Sequence, residues 1–381
     1  MSKQDFLRRM PETGVGFRRR DRIAQRFHLD FTLLGLLLLI ASFGVVVLYS
    51  ASSSSMLAVQ KQCTFFAIGF GVMLAIAQIP VDWMRRSAPW LYGVGVILLL
   101  LVLLVGIGAK GAQRWLGVGG FRFQPSEIMK LAMPIMVAAF LSRQTLPPRF
   151  LHIILTLMLI AVPTALIIKQ PDLGTAILVM VSGVVVLFFA GLQWWYIAVA
   201  GGLFGASLWP IWHYMLHDYQ QKRILMLLDP SSDPLGAGWN IIQSKTAIGS
   251  GGVHGKGWLE GTQSRLDFLP EGHTDFIIAV MSEEFGLIGV CLLMFAYILV
   301  IARSLYIAMN AQDGFGRLLA ASISTTFFVY VFVNAGMVAG MLPVVGVPLP
   351  FISQGGTAVV VLLAGFGMLM AIATEQKRVM N

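Results

Sequence analysis

Charge is what this sequence lacks. Only 12% of its 381 residues are charged, against 57% hydrophobic, and a soluble domain carries roughly twice that charged fraction. The stretches 31–59 and 89–109 hold no charged residue at all, and each exceeds the ~20 residues that cross a bilayer core. A soluble globular chain is excluded. Helices satisfy their own backbone hydrogen bonds in lipid, so the expected class is an all-α polytopic membrane protein. Cysteine is also scarce: Cys63 and Cys291 both fall in apolar segments. They make no metal pattern, and no structural disulfide is expected. No small-residue cleavage pattern follows the first apolar segment, which reads as a retained helix rather than a signal peptide. No internal repeat is evident.

The formal net charge of +9 invites a nucleic-acid reading. Its distribution argues against one. Eight of the 27 Lys and Arg residues lie in the first 29 positions, among them Arg18, Arg19 and Arg20. That is an orientation signal and a contact for anionic membrane lipid, and no nucleic-acid partner is expected.

About ten membrane helices are predicted, near 30–50, 63–79, 89–107, 125–142, 150–168, 172–190, 194–214, 275–302, 316–341 and 353–374. The organisation is a basic cytoplasmic tail (1–29), a transmembrane domain (30–374) and a short cytoplasmic tail (375–381). With the N-terminus inside, the inner connections hold Arg85 and Arg86, Arg143 and Arg149, then Arg303 and Arg317, and the tail adds Lys377 and Arg378. Both termini are then cytoplasmic by the positive-inside rule. The outer connections are longer: a Gly-rich segment at 108–124, a large loop at 215–274 between the seventh and eighth helices, and a Pro-rich segment at 342–352. Long polar loops carry function more often than plain ones, so the working face is the outer one.

Within the large loop, YQQKRILMLLD (219–229) reads as an amphipathic helix, on the membrane surface or packed on the protein. IGSGGVHGKGW (248–258) has five glycines but misses the nucleotide P-loop: Ser250 stands at the first Gly position and Gly257 replaces Ser or Thr. No nucleotide cofactor is expected. The stretch is either a flexible turn or a backbone cradle for phosphate, aided by Lys256 and His254.

Ionisable groups at membrane depth are functional candidates because burying them is expensive. In RWLGVGGFRFQPSEIMK (114–130), Pro125 suits a first helical turn. Glu127 and Lys130 follow at i,i+3, as a structural ion pair or as site residues. Arg114 and Arg122 would suit a diphosphate. In KQPDLGT (169–175), Asp172 suits a helix cap. In FLPEGHTDFIIAV (268–280), Thr274 or Asp275 begins the eighth helix, and Thr274 alone would cap it. Capping therefore gives no requirement for Asp275, and a carboxylate there could take a proton from a hydroxyl or bind a divalent cation. Glu283 and Glu284 follow, in the headgroup layer or along a wet cavity. His273 is a weaker base candidate.

These segments together resemble the SEDS family (shape, elongation, division and sporulation), from about 28 to 375. The matches are KGAQRW (110–115), RFQPSE (122–127), QPDLGT (170–175), LLDPSSDPLGAGWNIIQSKTAIGSGG (227–252), FLPEGHTDFI and GMLPVVGVPLPFIS. LLDPSSDP and LPVVGVPLP look more like the elongation branch, RodA, than the division branch, FtsW. Gly272 stands where the family pattern has Arg, and Gln354 where it has Tyr.

The resemblance implies an inverting peptidoglycan glycosyltransferase acting in cell elongation and rod-shape maintenance. It would polymerise lipid II into glycan strands at the outer, periplasmic face of the bacterial inner membrane. The family's essential Asp maps onto Asp275. Its cavity residues map onto Arg114, Arg122, Glu127, Lys130 and Asp267, and Lys256 or Arg265 are added as partners for the leaving pyrophosphate. The implied cofactor is a divalent cation, Mg or Mn, at Asp275. The implied partner is a class B penicillin-binding protein, a transpeptidase contacting the eighth and ninth membrane helices. Two rivals stand beside this reading: a lipid II flippase, and a non-catalytic scaffold for the transpeptidase.

Overall fold

The computed structural model describes residues 28–109, 112–118, 121–215, 221, 225, 238–265 and 272–375. Each expected apolar segment forms one long helix: α1 (Phe31–Ala51), α2 (Met56–Ala77), α3 (Val81–Val105), α4 (Pro125–Leu141), α5 (Phe150–Lys169), α6 (Leu173–Phe189) and α7 (Trp194–Pro210). Within the large loop follow α8 (Trp239–Gly251) and the short α9 (Thr262–Arg265). The eighth to tenth membrane segments are α10 (Ile277–Met309), α11 (Gly314–Val338) and α12 (Gly356–Thr374). Seven of these helices are long and apolar enough to cross a membrane. The chain is a multi-pass membrane protein.

Local chemistry sets several helix ends. Asp30 caps α1, accepting from Leu33 N at 2.8 Å, and Asp313 caps α11 through Gly316 N, also at 2.8 Å. Arg303 of α10 reaches back to Asp30 at 2.5 Å and ties the start of α1 to the last turns of α10. Two starts differ from expectation. Helix α2 begins at Met56 rather than 63, and α3 at Val81 rather than 89. Arg85 and Arg86 are thus helical residues, and Arg85 pairs with Asp82 at 2.8 Å in the first turns. The helix backbone continues through them because long charged side chains can extend toward water from a helix end.

Helices α4, α6, α11 and α12 pack around the buried centre, with α10 against α11. The α2–α12 contact is intimate. A Cβ placed on Gly367 would stand 2.5 Å from Met73 O, so only glycine lets the two backbones approach this closely.

Two connecting segments differ from the sequence expectation. The Gly-rich connection at 108–124 is largely β-structure: β1 (Ile107–Ala109), β2 (Ala112–Val118) and β3 (Phe121–Phe123), with β2 antiparallel to both neighbours. The ladder satisfies backbone groups that a plain loop would leave unpaired. The stretch 248–258 is not a free turn, and its amides at 255–257 are hydrogen-bonded within the protein. Its first four residues finish α8, and the rest repairs a break in α10.

That break centres on Gly286, at φ +65°. Leu287 N and Ile288 N donate to Gly252 O (3.0 Å) and Val253 O (3.1 Å). Lys256 N and Gly257 N donate, both at 3.0 Å, to Glu283 O and Glu284 O. The loop supplies the hydrogen bonds that the helix forgoes. A Cβ on Gly286 would lie 2.2 Å from Gly255 N, so glycine is required on steric and conformational grounds. The proposed amphipathic helix at 219–229 lies, apart from Gln221 and Leu225, outside the described residues.

Candidate functional site

A cavity of about 220 Å³ opens where β2, α4, α6, the 346–348 segment and the start of α12 meet. Arg114, Glu127, Lys130 and Asp172 all line it, so four of the sequence candidates converge from three elements. Pro125 opens α4, which sets Glu127 and Lys130 in its first two turns. Their side chains pair at 2.6 Å, both nearly buried. Glu127 Oε2 has no hydrogen-bond partner among the described residues. The ammonium of Lys130 also stands 5.4 Å from the centroid of the Tyr330 ring.

Asp172 is the N-cap of α6 and accepts from Thr175 N at 3.2 Å. Its other oxygen accepts from Gln124 Nε2 at 3.0 Å and lies 3.9 Å from Arg114 Nε. Arg114 also donates to Gln170 O (3.4 Å) and to Pro171 O. The tight hairpin before α6 is thereby fastened to β2. Two cations and two carboxylates face the cavity and neutralise one another in pairs. The positive end of α12, at Gly355–Ala358, adds backbone amides to the wall.

Asp275 lies in the turn before α10, which begins at Ile277 rather than at 274 or 275. Its side chain is half-buried. A Cβ on Gly346, a wall residue, would stand 3.5 Å from Asp275 Oδ2. Asp275 is not itself on the cavity wall; its half-buried carboxyl stands beside the 346–348 segment that forms part of that wall. His273 is half-buried too, and its carbonyl accepts from Gln354 N at 3.0 Å.

Lys256 is not on the cavity wall. Its ammonium is engaged by Glu283 Oε1 at 2.7 Å and Thr262 Oγ1 at 2.8 Å. Glu283 and Glu284 are buried within the protein and do not line this cavity. Glu283 holds Thr262 and Gln263 through their amides, and Glu284 accepts from Ser50 Oγ of α1. A buried carboxylate needs such donors, and the loop between α8 and α10 supplies most of them. Arg122 lies in β3 opposite Gly117, and Arg265 closes α9. Asp267 lies outside the described residues.

Sequence reasoning missed Gln124, Gln170, Tyr330, Asn334 and Ser353 as parts of the frame. Gln124, Gln170 and Ser353 sit inside the quoted motifs, so a signal existed for them. Nothing local marks Tyr330 or Asn334 within the apolar run of α11.

Residues 28–378 match the FtsW/RodA/SpoVE family, described as a cell cycle protein. The chain is a member of this SEDS family. The peptidoglycan glycosyltransferase MrdB of Escherichia coli (strain K12) is 52% identical to this SEDS protein over 352 residues, 92% of this chain and 95% of MrdB. A probable peptidoglycan glycosyltransferase FtsW from Geobacter sulfurreducens is 38% identical over 363 residues, 91% of this chain and 96% of its own. The higher identity lies with the MrdB relative, in line with the elongation-type motifs. Among solved structures, a chain from work on a peptidoglycan synthase complex that coordinates polymerization and crosslinking superposes with TM-score 0.80 at 31% identity. It covers 90% of this chain and 97% of that one. Thermus thermophilus rod shape determining protein RodA superposes with TM-score 0.69 at 28% identity, over 90% and 96% of the two chains.

Proposed function

We propose that this SEDS protein is a peptidoglycan glycosyltransferase that polymerises lipid II at the outer face of the bacterial inner membrane during elongation, with both termini cytoplasmic. The observation that carries the reading is the placement of Asp275 beside a polar cavity walled by Arg114 and Lys130. A relative named a peptidoglycan glycosyltransferase matches at 52% identity over 92% of the chain.

The chemistry follows from the site. A lipid pyrophosphate brings its own leaving group, so no nucleotide is required outside the membrane. Asp275 accepts the proton of the acceptor GlcNAc C4 hydroxyl as that oxygen forms its bond to C1 of the donor MurNAc, with inversion. The bond from C1 to the phosphate oxygen breaks, and the pyrophosphate departs toward Arg114 and Lys130, aided by the α12 amides. Asp172 and Glu127 keep those two cations in place. His273 frames the turn through its backbone link to Gln354 and is the second, weaker base candidate.

A divalent cation fits this site in one form. The described residues hold no cluster of three or more His, Cys, Asp or Glu, and Mg is commonly held by one or two carboxylates completed by substrate phosphates. In this alternative role Asp275 would hold Mg or Mn together with the substrate instead of taking the proton, and the ion would supply charge neutralisation for the leaving group.

The transpeptidase partner, a class B penicillin-binding protein, would lie against α10 and α11. An apolar cleft of about 410 Å³, lined by Ile278, Leu287, Val290, Met294, Ala335 and Val338, opens there beside α8. The match to a chain of a peptidoglycan synthase complex supports this partner.

The test is polymerisation by the purified protein with its transpeptidase and fluorescent lipid II. Long glycan strands are expected from the wild type. Asp275→Ala is expected to lower the rate by about 10²–10⁴-fold, the usual worth of general-base help, while remaining folded. Lipid movement without polymer would favour a flippase. Unchanged polymerisation by Asp275→Ala would remove Asp275 from the chemistry.

A further inference from the structure

Three consecutive carbonyl oxygens before α10 are held from distant parts of the chain. Gln354 N donates to His273 O at 3.0 Å, Ser353 Oγ to Thr274 O at 2.5 Å, and Asn334 Nδ2 to Asp275 O at 2.9 Å. The first two donors lie in the connection into α12. The third lies in α11 and is wholly buried. The same Nδ2 also donates to Val347 O at 2.7 Å. A primary amide is a short, neutral side chain with two N–H donors on one nitrogen, and both are used here.

Asn334 therefore joins the backbone of Asp275 to that of Val347, the neighbour of Gly346 in the cavity wall. Asn334 Oδ1 has no partner among the described residues. A buried, unsatisfied acceptor opposes folding, so packing alone gives no reason for an amide at this position. Four residues earlier, on the same face of α11, Tyr330 lies beside the Lys130 ammonium. One helix face thus reaches both the cavity's Lys130 and the backbone of Asp275.

We infer that Asn334 is a positioning residue that fixes where the Asp275 carboxyl stands relative to the cavity. The inference rests on the glycosyl-transfer reading above. Asn334→Asp has nearly the same shape, lacks both donors and sets a carboxylate against two carbonyl oxygens. Misplacement of a reacting group by about 1 Å lowers rate by roughly 100-fold. Asn334→Asp is accordingly expected to lower kcat by about 100-fold with the KM for lipid II held within about threefold. Asn334→Ser, which keeps one donor, is expected to lie between. It also serves if the aspartate variant fails to fold.

A second readout is independent of polymerisation. In a chain with Cys63 and Cys291 replaced by serine, the thiol introduced by Asp275→Cys is labelled with a maleimide, with and without Asn334→Ser. The labelling rate is expected to change by about tenfold, the scale of one lost hydrogen bond. A kcat within about threefold of wild type, a loss confined to KM, or an unchanged labelling rate would each overturn the inference. If the wild-type protein makes no polymer, the proposed function falls, and the labelling rate still decides whether Asn334 positions residue 275.

Discussion

Lys256 Nζ lies 2.7 Å from Glu283 Oε1, and that carboxylate is wholly buried. The same oxygen accepts from Thr262 N at 2.8 Å, and Gln263 N reaches both oxygens at 3.1 Å. One side chain of α10 thus fixes the loop from 256 to 263. Glu283→Ala leaves these donors without their acceptor and should lower stability by about 3 kcal/mol, the lower end for breaking a buried pair. Lys256→Ala takes the cation from that buried carboxylate but leaves it the Thr262 and Gln263 amides, and should lower stability by about 2 kcal/mol. Thermal unfolding of the two variants in detergent checks the order.

The break in α10 makes a sharper demand. Gly286→Ala places a Cβ 2.2 Å from Gly255 N in a residue at φ +65°. Backbone strain alone costs about 1–3 kcal/mol, and the overlap adds to it. The expected result is loss of the monodisperse peak in fluorescence-detected size exclusion. Gly249→Ala, with nothing within 4 Å of its Cβ, should leave that peak unchanged.

At the cavity, Lys130→Met strands the Glu127 carboxylate among buried atoms. Removing one member of such a pair costs about 3–5 kcal/mol. The double variant Glu127→Gln with Lys130→Met should recover much of the thermal stability, because no charge is then left unpaired. Polymerisation should stay low in the double variant, since a cation for the leaving group is gone. Melting temperature and strand synthesis, measured on the same preparations, separate the two roles.

Asp172 tests capping against chemistry. Asparagine caps as well as aspartate, whereas alanine costs about 0.5–2 kcal/mol. Asp172→Asn should therefore melt like the wild type, and Asp172→Ala below it. A drop in polymerisation by Asp172→Asn, at unchanged stability, would report the loss of its charge beside Arg114, which lies 3.9 Å away.

The membrane helices were legible because the absence of charge is a local property. Each long apolar run became a helix, with starts displaced where charged residues such as Arg85 and Arg86 were tolerated in the first turns. Glu127, Lys130, Arg114 and Asp172 were legible as candidates because ionised groups are rare in apolar surroundings. What stayed hidden depends on partners far away in sequence. The amides of Lys256 and Gly257 read as a phosphate cradle, yet they complete the broken helix at Glu283 and Glu284. Asn334 looked like an ordinary residue of an apolar run, although its two donors meet Asp275 and Val347. The β-ribbon at 107–123 was hidden by its glycines, which read as an irregular loop.

The mended break in α10 has a consequence for how the protein is assembled. An unsatisfied backbone group in hydrocarbon costs several kcal/mol, and the bend at Gly286 would leave Leu287 N and Ile288 N in that state without Gly252 O and Val253 O. The patch precedes the helix in the chain, so synthesis from the N-terminus delivers the splint before the segment it must set. Complete pairing of the α10 backbone therefore requires the 252–257 segment to be docked against it, in addition to insertion of the helix itself.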